Sequence, residues 1–190
     1  IGLGVSPSLY YAQHHFDIKG AAMVTASHNE NGWTGIKLGY GLSKTLGPEG
    51  ITRFKEIVYK GEFLEKNGSY STDLSVHESY IQDLVKRGNT NRKLKLVVAT
   101  GNGTGGLYTP EVMRGVGHDV IEQHVDLDWD FPNFNPNPED IMFLKDIGDR
   151  VRKENADLGI GIDGDGDRVG IIDNEGNLIY EVNQGFDVQA

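Results

Sequence analysis

The stretch Ile162-Asp-Gly-Asp-Gly-Asp-Arg-Val169 constrains this chain more than any other. Its three carboxylates occupy alternate positions, separated by glycines that accept turn conformations, so the backbone can curl until one oxygen from each converges on a hard divalent cation. Convergence of that kind is costly without a cation, because like charges repel. The flanks, Leu158 to Ile162 and Val169 to Asp173, are apolar and strand-like, which makes the segment a loop between two buried strands. Leu178 to Tyr180 pairs with the second of them as a hairpin around Asn174-Glu-Gly-Asn177. An EF-hand loop would need glycine at its sixth position and glutamate at its twelfth, where this chain has Arg168 and Asn174. Two other readings stay open at this point. One is an aspartyl-phosphate phosphatase with Asp163 or Asp165 as nucleophile. The other is a plain glycine-aspartate surface turn.

Upstream, strands and helices alternate from Leu94 onward, which predicts three-layer α/β/α architecture with a mixed, largely parallel sheet. Leu94 to Ala99 reads as a strand, Gly101 to Gly106 as a turn, and Thr109-Pro110-Glu111 as a threonine-capped helix start. Val120 to Val125 is a further strand. The proline-rich stretch from Asp126 to Asn137 is an irregular excursion. Asn137-Pro138-Glu139-Asp140 then opens a helix, with Ile141, Leu144, Ile147 and Val151 on its buried side. Nearer the start, Ala21 to Thr25 and Gly35 to Tyr40 read as strands. A helix runs from Pro48 to a stop at Gly61, with Ile51, Phe54, Ile57 and Val58 on one face. The polar stretch Glu65 to Thr72 is the predicted boundary, and Ser75-Val-His-Glu78 reads as a capping box. The expected organisation is residues 1–72 as the C-terminal part of one domain, 73–180 as a second, and 181–190 as the truncated start of a third. The chain opens on Ile1 and stops at Ala190 without a closing pattern, so both ends are expected to be cut.

Composition narrows the chemistry. There is no cysteine, which removes disulfide frameworks and thiolate metal sites and fits a cytoplasmic location. A formal charge of −10, from 28 acidic and 18 basic residues without long single-sign blocks, argues against nucleic acid as a partner. No run approaches the roughly 18 apolar residues of a membrane span, and nothing resembles a signal peptide.

Thr25-Ala-Ser-His-Asn29 follows a predicted buried strand, a place where a serine hydroxyl points into the cleft above a sheet edge and can take up a phosphate. Neighbouring Ser27 and His28 do not make a triad, and no Gly-x-Ser-x-Gly elbow occurs. A different class is suggested by Gly101-Asn-Gly-Thr-Gly-Gly106, which fits the Gly-x-Gly-x-x-Gly fingerprint between strand and helix, with Glu122, Asp126 and Asp128 where a ribose-binding acid is sought. Alone, it would read as a dinucleotide-binding Rossmann-like domain. Trp33, Trp129 and Phe131 read as packing residues, and His14-His15 as a helix surface pair.

Taken together, Thr25-Ala-Ser-His-Asn29, Gly35-Ile-Lys37 and the Asp163-Gly-Asp-Gly-Asp-Arg168 loop resemble the α-D-phosphohexomutase family, of the bacterial phosphomannomutase/phosphoglucomutase type. Phe131 to Pro138 and Glu154-Asn-Ala-Asp157 resemble it too, so the likeness spans nearly the whole chain. The resemblance implies a serine, Ser27, that carries a phosphoryl group, and Mg2+ held by that group with Asp163, Asp165 and Asp167. It implies Arg168 as a contact of the phosphoserine, Lys37 as an acid–base or charge-stabilising residue, and His28 and Asn29 as shapers of the serine loop. It further implies hexose phosphate substrates, glucose or mannose phosphate, with hexose 1,6-bisphosphate as intermediate and activator. Family members have four domains, so the third and fourth would be missing here. Glu30 stands where the family usually has a proline, which bears on the loop's outer half.

Overall fold

The structure, a computed structural model, describes residues 1–181 of the chain. Apart from Glu181, the expected start of a third domain therefore lies outside the described residues.

In the first half, helix α1 (Ser6–His15) packs on strands β1 (Gly20–Val24) and β2 (Ile36–Tyr40). These join the short β3 (Lys44–Thr45) in an antiparallel sheet of order β1-β2-β3. The bounds of helix α1 were not foreseen from the sequence, which marked only its His14-His15 end; Pro7 sits in its first turn, where a missing amide hydrogen costs nothing. His14 and His15 lie exposed on it as expected. Helix α2 (Pro48–Lys60) ends as expected at Gly61, in the left-handed conformation. Its apolar stripe does not face a core. Ile51, Phe54, Ile57 and Val58 are each at least 41% exposed, because α2 buries no residue against the described chain.

Residues 62–74 form no helix or strand and are exposed. They lead into α3 (Ser75–Arg87), whose start departs from the capping box. Ser75 gives both its amide (3.0 Å) and its hydroxyl (2.6 Å) to Asp73 Oδ1, so an upstream aspartate does the work assigned to Glu78.

The second half is built on β4 (Lys95–Ala99), β5 (Asp119–Gln123), β6 (Leu158–Ile162), β7 (Val169–Ile172) and β8 (Leu178–Glu181), in the order β5-β4-β6-β7-β8. The three strands β5, β4 and β6 run parallel, and β7 and β8 return antiparallel, so the sheet is mixed. Alternation along β4 divides the core. Val97 and Ala99 face helix α5 (Ile141–Glu154), packing with Phe143, Leu144, Ile147 and Val151. Leu96 and Val98 face the other side, where Met113 of helix α4 (Thr109–Val116) and Ile160 meet them. Helices on both sheet faces give the three layers the alternation predicted.

Two helix starts differ in detail from the sequence reading. Thr109 lies inside α4 and makes no capping bond; the helix begins on Pro110 in its first turn instead. Asp140 does cap α5, accepting the Met142 amide at 2.8 Å, but Ile141 is 76% exposed and Phe143 takes the buried place expected of it. The first helical residue points away from the sheet before the periodic face is established.

Strand β6 can sit under α5 because it alternates with glycine. A Cβ on Gly159 would lie 2.7 Å from Ile147 Cγ2, and one on Gly161 would lie 2.8 Å from Ile147 Cδ1. Gly159→Ala should therefore force α5 off the sheet and destabilise the chain by about 1–3 kcal/mol, the usual cost of overpacking. Urea denaturation followed by circular dichroism checks this, with a fall in midpoint at unchanged slope as the expected result.

Candidate functional site

The site forms where the end of β6 meets the ends of β1 and β2. Beyond Ile162 the chain folds back on itself: Asp163 accepts the Gly166 amide on its carbonyl (3.2 Å), with Gly166 at φ +78°. Asp163 is fully buried; its Oδ1 accepts the Asp167 (2.9 Å) and Arg168 (3.0 Å) amides, and its Oδ2 accepts Arg168 Nε at 3.1 Å. Those bonds make Asp163 the post around which the loop is wound.

Asp165 points toward the first half. Its Oδ2 accepts the hydroxyls of Ser6 (2.6 Å) and Thr25 (3.0 Å) and pairs with Lys37 Nζ at 2.7 Å. Its Oδ1 is buried with no hydrogen-bond partner. Lys37 bridges to Asp167 Oδ2 as well, at 2.5 Å. Asp163, Asp165 and Asp167 each offer an oxygen, and these oxygens lie within 4.8 Å of one another. An orphaned buried carboxylate oxygen beside two more carboxylates is the donor set a hard cation such as Mg2+ takes, so the residues present fit a metal.

The electrostatics agree. Burial, then repulsion from Asp165 and Asp167, pushes the Asp163 carboxyl up to about 7, as expected where carboxylates crowd one buried site. Burial works against ionised Asp165 too, but the Lys37 and Ser6 hydrogen bonds outweigh it and hold that carboxyl below its ordinary value. Burial alone would weaken the Lys37 ammonium; hydrogen bonds to Asp165 and Asp167 instead raise its pKa, so it is a cation at neutral pH. His28 is lowered by burial and then by Arg168, which keeps it neutral there.

The serine loop lies directly on the aspartate loop. Ser27 sits at φ +57°, a left-handed conformation unusual for serine, with its amide on Thr25 Oγ1 at 2.9 Å. Its Oγ is 3.3 Å from Arg168 Nη2 and 3.4 Å from His28 Nδ1. A Cβ on Gly164 would come within 2.5 Å of the Ser27 carbonyl oxygen, so only glycine allows the two loops to touch. Asn29 closes the serine loop through bonds to the Ala26 carbonyl.

Thus the residues singled out in the sequence, Ser27, His28, Lys37, Asp163, Asp165, Asp167 and Arg168, come together from opposite ends of the chain. Four neighbours were missed as site residues: Ser6 and Thr25 on Asp165, Asn135 donating to the His28 carbonyl at 2.8 Å, and Glu139, 3.7 Å from Arg168. Thr25 and Asn135 lay inside stretches already noted; Ser6 carried no sequence signal, being one small residue ahead of a proline. Trp33 and Trp129, read as packing residues, are 69% and 60% exposed.

The glycine-rich turn after β4 is occupied by the protein itself. Thr104 gives its amide (3.0 Å) and hydroxyl (2.8 Å) to the Gly164 carbonyl, and a Cβ on Gly103 would meet Gly164 at 2.9 Å. The turn braces the aspartate loop where a dinucleotide pyrophosphate would have to lie.

Residues 78–176 match the family described as phosphoglucomutase/phosphomannomutase, alpha/beta/alpha domain II, and residues 1–65 match its alpha/beta/alpha domain I. The chain belongs to the phosphoglucomutase/phosphomannomutase family. It is 35% identical to the phosphomannomutase/phosphoglucomutase of Pseudomonas syringae pv. tomato and 34% identical to that of Pseudomonas aeruginosa. Each likeness covers 95% of this chain but 38% of the relative, so the chain spans well under half their length. A crystal structure of a Burkholderia thailandensis phosphoglucomutase/phosphomannomutase family protein superposes with a TM-score of 0.78 at 31% identity, covering 84% of this chain and 34% of that one. A putative phosphomannomutase from Thermus thermophilus does so at 0.78 and 25% identity, over 93% of this chain and 41% of its own. Neither the Rossmann-like nor the aspartyl-phosphatase alternative finds support in these likenesses. No described helix is long and apolar enough to cross a membrane.

A chain with this donor set should be stabilised by a divalent cation. At a hundred-fold excess of Mg2+ over its dissociation constant, Tm should rise by roughly 5–10 °C. Asp165→Asn should lose most of that rise. Scanning calorimetry with Mg2+ and with a chelator checks both.

Proposed function

We propose that this chain holds the phosphoryl-transfer centre of an α-D-phosphohexomutase that interconverts hexose 1-phosphate and hexose 6-phosphate, glucose or mannose phosphate, through a phosphoserine and a bisphosphorylated sugar. The observation that carries the proposal is Arg168, whose guanidinium donates to Ser27 Oγ at 3.3 Å and to Asp163 Oδ2 at 3.1 Å. One rigid fork thereby sets the candidate nucleophile against the candidate metal loop.

In this reading Ser27 carries the phosphoryl group, and Ser27 with Asp163, Asp165 and Asp167 would hold Mg2+. When bound, Mg2+ would neutralise the phosphoryl oxygens as charge redistributes. In the forward transfer the P–O bond to Ser27 breaks, a bond from phosphorus to the sugar hydroxyl oxygen forms, and the hydroxyl proton ends on Ser27 Oγ. Return of the sugar's other phosphate to Ser27 completes the exchange. Lys37, a cation under these conditions, stabilises charge and can donate a proton rather than take one. Arg168 meets the phosphoserine, and neutral His28 with Asn29 shapes its loop. Hexose 1,6-bisphosphate acts as intermediate and activator, and the absence of cysteine fits a cytoplasmic location.

Residues 1–72 and 73–180 would then be the later part of a first domain and the whole of a second. Gripping the sugar and its distal phosphate would fall to third and fourth domains, in line with the 38% share of the relatives that this chain covers.

In the full-length enzyme incubated with a hexose 1,6-bisphosphate, phosphopeptide mass spectrometry should find the label on Ser27, and Ser27→Ala should nearly abolish transfer. Label trapped on an aspartate would sink the proposal. The 190-residue chain alone should show no turnover in a coupled glucose 1-phosphate to glucose 6-phosphate assay, since lost positioning removes up to about 7–11 kcal/mol of barrier lowering.

A further inference from the structure

Asp165 is held by more groups than a metal ligand needs, and they are not equivalent. Its Oδ2 carries all three side-chain partners, from Ser6, Thr25 and Lys37, while Oδ1 carries none. Ser6 alone also grips the backbone: its amide donates to the Asp165 carbonyl at 2.7 Å while its hydroxyl donates to Oδ2 at 2.6 Å. A residue bound at both main chain and carboxylate has little freedom of torsion between them. Ser6 is itself 1% exposed and stands at the first turn of α1. Next to it, a Cβ on Gly166 would strike Val5 Cγ1 at 2.7 Å, so the aspartate loop is seated on this helix start across its width.

We propose that Ser6 is a positioning residue for the metal loop, turning Asp165 so that the buried Oδ1 is the atom left for the cation. This rests on the metal-dependent phosphohexomutase function proposed above. Oriented partners of a ligating carboxylate fix its rotamer and so set the geometry the ion meets. Without the Ser6 hydroxyl, Oδ2 keeps only Thr25 and Lys37, and the Asp165 carboxylate is no longer held in one rotamer. The same contact joins the two halves of the chain, so cation binding and their docking reinforce each other.

Binding of Mn2+, followed by electron paramagnetic resonance of the free ion, tests this in the full-length protein at matched Ser27 phosphorylation verified by intact mass. Ser6→Ala should weaken Mn2+ binding by about 10–100-fold, and Ser6→Thr, which keeps the hydroxyl, should stay near wild type. Ser8→Ala is the structural control: Ser8 is buried two residues along and bonds the Val5 carbonyl at 2.6 Å, while the side-chain partners of Asp165 are Ser6, Thr25 and Lys37. It should lower Tm yet leave Mn2+ affinity in place. Ser6→Gly is a second variant without the hydroxyl should Ser6→Ala fold poorly. Wild-type affinity in a folded hydroxyl-free variant, with Asp165→Asn failing to bind, overturns the role of Ser6 and leaves the proposed function standing. Equal weakening by Ser6→Ala and Ser8→Ala also overturns it. No uptake of Mn2+ by the wild type overturns the metal site itself, and with it this proposal.

Discussion

Three aspartates held in one tight loop repel each other, and the folding around residues 163–167 can be understood as the means of tolerating that repulsion. Asp163 is wound into the loop's own amides and capped by Arg168; Asp165 is pulled toward the first half by Ser6, Thr25 and Lys37; Asp167 shares the Lys37 ammonium. Two protein cations therefore offset part of three negative charges. The remainder shows in the Asp163 carboxyl, driven up to about 7 by burial and by its neighbours. A divalent cation would supply the missing charge.

This constraint also accounts for the joining of the halves. Lys37 comes from β2, Ser6 from the start of α1 and Thr25 from the end of β1, and all three reach one carboxylate on the loop after β6. Glycines make the approach possible: Gly164 lets the Ser27 carbonyl rest on the loop, and Gly103 lets the turn after β4 brace it from behind. The unusual φ of Ser27 belongs to the same geometry, in which its hydroxyl lies 3.3 Å from Arg168 Nη2. Away from the candidate site the halves also meet where α1 packs on α3, with the Tyr11 and Tyr80 rings 5.2 Å apart and Val5, Leu9 and Val76 buried.

What could be read from sequence divides along local and non-local lines. The aspartate loop, the strands beside it and the helix that follows Asn137 to Asp140 are set by spacing and residue type within a few positions, and they lie where expected. Ser27, Lys37 and Arg168 were singled out by motif and are brought together by the fold. Ser6 was invisible, since its role depends on a residue 159 positions away. The stripe on α2 shows the opposite failure: a helical period in Ile51, Phe54 and Ile57 gave the helix correctly, but period says only that a face is apolar, not what covers it. The Gly101 to Gly106 fingerprint allowed two readings, a turn and a dinucleotide site, for a related reason. Glycines that could admit a pyrophosphate also admit a neighbouring loop, and sequence cannot distinguish the two occupants.

The most direct test of the central claim, that the buried aspartates and Ser27 make one cation site, is anomalous diffraction from crystals of the full-length protein grown with Mn2+. A single strong peak is expected within bonding distance of Asp163, Asp165 and Asp167 and of the Ser27 oxygen or its phosphate, with Asp165 Oδ1 as a ligand atom. A site left without a peak in crystals that bind Mn2+ elsewhere, or a peak that leaves Asp165 Oδ1 unligated, would contradict it.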